Sequence, residues 1–73
     1  MNKKAALKRL NERLTESAKL LDKAAMEVRD LKLNSKYNIR KIGEALANIF
    51  EIQMQIYKQQ PNLRPDYLKK VKS

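Results

Sequence analysis

The sequence predicts an all-α fold: an antiparallel two-helix hairpin with a short C-terminal helical segment, two copies of which combine into a four-helix bundle. Three observations predict it. The chain of 73 residues holds one Gly and two Pro among abundant Ala, Leu, Lys, Glu and Gln, a composition suited to helix almost throughout. Apolar residues recur at helical spacing over two long stretches separated by "LKLNSKYN". The second stretch, "IGEALANIFEIQMQIY" from Ile42 to Tyr57, carries an apolar arc wider than one neighbouring helix can cover.

The first helix is expected from about residue 4 to about residue 32, roughly 43 Å at 1.5 Å per residue. Leu7, Leu14, Leu21 and Val28 share one position of a seven-residue grid, and Leu10, Ser17, Ala24 and Leu31 follow three residues later. These read as the a and d positions of a heptad, with Ala18 and Ala25 widening the stripe. Its outer face alternates in charge sign, as a solvated face does, and Lys23 with Glu27 is one expected pair. The break follows at Asn34, a residue that tolerates the left-handed conformation, with Ser35 as the expected N-cap of the next helix. A connection this short makes the two helices antiparallel neighbours.

The second helix is expected from about residue 36 to about residue 59, stopping before Pro61, because the residue preceding a proline is pushed out of the helical region. Arg40, Lys41, Glu44, Asn48, Glu51, Gln55, Lys58 and Gln59 fall on its wet side. Ile39, Ile42, Leu46, Ile49, Phe50, Ile56 and Tyr57 fall on the other, flanked by Ala45, Ile52 and Met54. Gln53 lies inside this arc, where it either fixes the register of a seam or sits at the wetter edge and reaches outward. Gly43, the only glycine, sits mid-helix, where either a close backbone crossing, the favoured reading, or a tolerated weak spot explains it. After Pro61 a turn and a short helix are expected over about residues 62–71, with Pro65 and Asp66 suited to its first turn and Leu63, Tyr67, Leu68 and Val71 on its apolar side.

The whole chain, residues 1–73, forms a single domain, and a domain this small buries only about 60% of the surface it exposes when unfolded. Disulfides, metal sites or partners usually make up the shortfall. With no Cys and no His, a partner is the remaining remedy. The expected partner is a second copy, held through Ile42, Leu46, Ile49, Phe50, Gln53 and Ile56, with a different protein as the alternative occupant.

Catalysis fits poorly. Without His, acid–base work would fall to carboxylates that lie on wet faces among Lys and Arg, and no phosphate loop or nucleophile motif is present. No cofactor or metal is expected. The formal charge of +9 raises the prospect of an acidic partner such as nucleic acid. The surplus gathers at the two termini, where an antiparallel hairpin makes a basic pole from Lys3, Lys4, Lys8, Arg9, Lys58, Arg64, Lys69, Lys70 and Lys72. That pole could engage phosphate, but no base-reading motif accompanies it, and solubilising ends are the favoured reading. No run approaches the 18 or so apolar residues of a membrane span, and the opening "MNKKAALKRLNERL" lacks the apolar core of a signal peptide. A soluble protein of the cytoplasm is the expectation, with a role in interaction or assembly rather than chemistry.

Overall fold

A computed structural model describes residues 2–65, and these form two long helices, α1 (Lys3–Asp30) and α2 (Ser35–Gln59), followed by a 3₁₀ turn at Pro61–Leu63. No strand occurs among the described residues. The chain is therefore all-α, with helix limits within two residues of those the sequence predicts.

Each boundary has a local cause. Asn2 caps α1: its Oδ1 accepts from the backbone N–H of Lys4 at 2.9 Å and of Ala5 at 3.3 Å, satisfying two donors that have no partner inside the helix. At the other end Leu33 N–H donates to Val28 O and Lys32 N–H to Arg29 O, each at 3.1 Å. That pair of bonds is the Schellman motif. It places Lys32 in the left-handed region at φ 55°, a conformation usually given to glycine.

Asn34 is left-handed too, at φ 40°, as its tolerance for that region predicts. The capping differs from expectation, however. Asn34, not Ser35, occupies the cap position, and its side chain makes no capping bond. Ser35 is already helical; its Oγ donates back to Val28 O at 3.2 Å, and Asn38 Nδ2 donates to Leu33 O at 2.8 Å. Two side chains thus tie the connection to its own ends. Beyond α2, Gln60 N–H closes on Ile56 O at 2.8 Å, and the chain turns through Pro61. Of the predicted C-terminal helix only this 3₁₀ turn falls among the described residues; Asp66, Tyr67, Leu68 and Val71 lie outside them.

The seam between the helices corrects the predicted frame of α1. Half-buried positions run Leu7, Asn11, Leu14, Ala18, Leu21, Ala25, Val28, with Thr15 beside them; of the predicted second row Ala24 is half-buried, while Leu10, Ser17 and Leu31 are exposed. The leucine ridge and the widening Ala18 and Ala25 lie where the sequence puts them, but the companion row centres on Asn11, Ala18 and Ala25 rather than on Leu10, Ser17 and Leu31. Size complementarity explains the choice. Bonds from Gln53 to Asn11 and from Ser35 to Val28 fix the register at both ends of the hairpin. That register aligns Leu46 with Ala18 and Ile39 with Ala25, so branched side chains of α2 lie over the small residues of α1. Ala18 and Leu46 line one groove between the helices, and Ala25 and Ile39 line a second, as the alignment requires.

Burial is sparse. Among the described residues Ile56 and Tyr57 are the buried hydrophobic ones, at 3% and 5% exposure, and Gln53 is the buried polar one. All three sit in the last two turns of α2, where the 3₁₀ turn packs back against that helix. Among the described residues no helix is long and apolar enough to cross a membrane.

Candidate interaction surface

The residues that the sequence assigns to an interface do not share one fate. Ile42, Leu46 and Ile49 are half-buried along the seam with α1, and Gln53 and Ile56 are buried within the chain. Phe50 is 46% exposed. The arc of α2 is therefore divided. One part is taken up by the chain's own first helix, and the part centred on Phe50 is left open.

Gln53 lies in a seam, as one of its two sequence readings has it, but its partners are side chains of α1 rather than a twin amide or a backbone group. Its Nε2 donates to Asn11 Oδ1 and to Thr15 Oγ1, both at 3.1 Å. Asn11 and Thr15 are four residues apart on α1, and that spacing places both on one face where a single amide can reach them. The amide is satisfied inside the hairpin and makes one polar layer in an otherwise apolar seam. Such a layer selects register, since a slipped pairing would leave a desolvated amide without partners. Sequence reasoning found the unusual amide but not its partners, because Asn11 and Thr15 become visible only once the seam of α1 is correctly rotated.

Beside the seam, on the Phe50 side, a groove of about 660 Å³ runs between the helices. Gly43, Leu46, Ala47, Ile49, Phe50 and Gln53 line it from α2 and Thr15, Ala18, Lys19 and Asp22 from α1, with Tyr57 and Pro65 also lining it. A smaller groove continues past Asp22 to Met26, Arg29 and Ile39. Gly43 opens onto this space: a Cβ added there would meet nothing within 4 Å. The close backbone crossing expected at Gly43 is thus absent within the chain. What remains is a mid-helix glycine costing about 1 kcal/mol relative to alanine, with no internal contact that requires it.

On the opposite flank, Leu10 and Ile52 are 43% and 44% exposed. Toward the turn Leu31, Leu33 and Tyr37 are also open, and Lys41 Nζ sits 5.3 Å from the centre of the Tyr37 ring.

Six residues of the basic pole lie among those described. Lys3, Lys4, Lys8, Arg9 and Lys58 are exposed, and Arg64 is half-buried with its Nε shut away from solvent and without a hydrogen-bond partner. Lys8 pairs with Glu12 at 3.3 Å, which removes part of the pole's free charge. Lys69, Lys70 and Lys72 lie outside the described residues. Among the described residues the other ion pairs are Arg29–Asp30 and Lys41–Glu44, both on exposed faces; the expected Lys23–Glu27 pair is not formed. Among the described residues no group of three or more Asp or Glu is placed to hold a metal ion. No family model, curated protein or solved structure matches the chain.

Proposed function

We propose that this chain is a small, non-enzymatic helical module of the cytoplasm that works by association, and that its first partner is a second copy of itself. The observation that carries the reading is the position of Phe50, the only phenylalanine, 46% exposed in the centre of α2 while the buried hydrophobic core among the described residues amounts to Ile56 and Tyr57. A hairpin with so little interior sits near the limit of independent stability, because two buried side chains of this kind contribute only about 3–6 kcal/mol against the chain entropy lost on folding.

Exposed apolar side chains support the same reading: Leu10, Leu20, Met26, Phe50 and Ile52 all stand more than 40% open to solvent. Joining two hairpins into an antiparallel four-helix bundle is a common way to cover such faces, and twofold pairing is the commonest symmetry of soluble oligomers.

Sedimentation equilibrium at micromolar concentration tests the proposal. The expected result is a particle of twice the 8.6 kDa chain mass. A chain that stays monomeric while remaining helical and cooperatively folded would overturn it.

A further inference from the structure

We infer that the two copies join through α2 alone, antiparallel about a twofold axis at Ala47, with Phe50 of each copy seated over the partner's Gly43. The inference rests on the self-association reading above and gives that interface a register. Arg40, Gly43, Ala47, Phe50 and Met54 follow one another at spacings of three, four, three and four residues. That spacing makes a second seam on α2, adjacent to the one that α1 occupies. Every member is exposed except the half-buried Met54.

The seam is graded in size. Gly43 lies one heptad before Phe50, and Ala47 lies between them. Parallel pairing in register would set Phe50 against Phe50 and leave a void between the two glycines. Antiparallel pairing about Ala47 sets bulk against the absence of bulk. A twofold axis makes the two resulting contacts identical, which is the self-complementarity that such interfaces require. It also accounts for Gly43, which the chain's own packing does not require, since a side chain there would meet open space.

The surroundings limit the contact to α2. On α1 the groove is lined by the polar Thr15, Lys19 and Asp22, with Ala18 its one apolar residue there, and Tyr57 and Pro65 also line it. The span from Arg40 to Met54 is what remains to dock. The same axis sets Glu44 across from the partner's Glu51 at the rim, a like-charge pair that weakens the dimer and marks its register.

Variants of the full chain test the arrangement by sedimentation and circular dichroism. Gly43→Leu meets no obstacle inside its own chain and replaces a poor helix former, so helicity should be kept while dimer affinity falls at least tenfold. Adding Phe50→Ala to Gly43→Leu should restore the dimer, because the new side chain fills the space the ring vacates. Ala47→Cys should form an intermolecular disulfide under mild oxidation, since the axis brings the two Cα atoms within the roughly 4.4–6.8 Å a disulfide spans; Asn48→Cys, pointing away, should not. Glu51→Lys should tighten the dimer by turning the like-charge rim into opposite pairs. If the unmodified chain proves monomeric, the self-association reading fails and this inference with it. If the chain dimerises but Gly43→Leu leaves the dimer intact, or Ala47→Cys fails to cross-link, the register is overturned while self-association stands. Dissociation by Leu10→Ser in that case assigns the interface to the opposite flank.

Discussion

The two ends of the hairpin are built from the same kinds of residue and are buried to different extents. At the open end, Gln53, Ile56 and Tyr57 are shut away from water; at the turn end, Leu31, Leu33 and Tyr37 stand 74%, 58% and 52% exposed. The difference is one layer. Near Tyr57 the chain turns back through Pro61 and supplies a third wall against α2, whereas near the turn there are only two helices. A helix pair shields a strip on each member, but its apolar sides stay wet unless something else lies against them. The middle of α2 is in the same state as the turn end, and Phe50 marks the place.

Removing atoms from the buried end should give the largest effect. Ile56→Ala should cost about 2–5 kcal/mol in urea unfolding, because it leaves a cavity where the chain is closed on every side. Ile39→Ala, at a half-buried position beside Ala25, should cost less than half as much; equal losses would break the contrast between the ends. The polar layer comes next. In a double-mutant cycle, Gln53→Ala and Asn11→Ala should show a coupling of about 1–2 kcal/mol, as expected for groups that share one hydrogen-bond network. Purely additive losses would show that the amide gains nothing from α1.

Smaller effects sharpen the account of the boundaries. Asn2→Ala should lower stability by about 1 kcal/mol through loss of the α1 cap. Lys32→Gly should raise it by about 0.5–1 kcal/mol, since glycine takes the left-handed Schellman position without steric cost. A fall in melting temperature on Lys32→Gly would mean that lysine contributes there through something other than its backbone. The least response is expected from the termini: titration against duplex DNA at about 50 mM salt should give no saturable binding. Binding that disappears steeply as salt rises would shift attention to the basic pole.

The helices were legible because their ends are marked by strong local chemistry: proline at Pro61 and a left-handed asparagine at Asn34. The side of α1 that faces inward was not. Leu10, Ala24 and Leu31 on one flank and Ala18 and Ala25 on the other have similar claims within a single helix. Only the bulk of Ile39 and Leu46 and the demands of the Gln53 amide, both on the facing helix, decide between the flanks. Gly43 was recognised as anomalous for a sound reason, the cost of glycine in a helix, but the expected crossing is missing within the chain. The divided arc of α2 was legible as an excess of apolar surface; which part α1 takes up depends on a register set by pairs of residues distant in sequence.

One mechanical consequence follows from where the hairpin is fastened. The amide clamp on Asn11 and Thr15 holds one extremity, and the bonds of Ser35 and Asn38 hold the other. Between these anchors α2 behaves like a beam supported at both ends, softened near midspan by a residue without a side chain. Bending should concentrate there, so amide protons around Gly43 should exchange with solvent sooner than those near either support, and an arriving helix would meet the compliant part of the rod first.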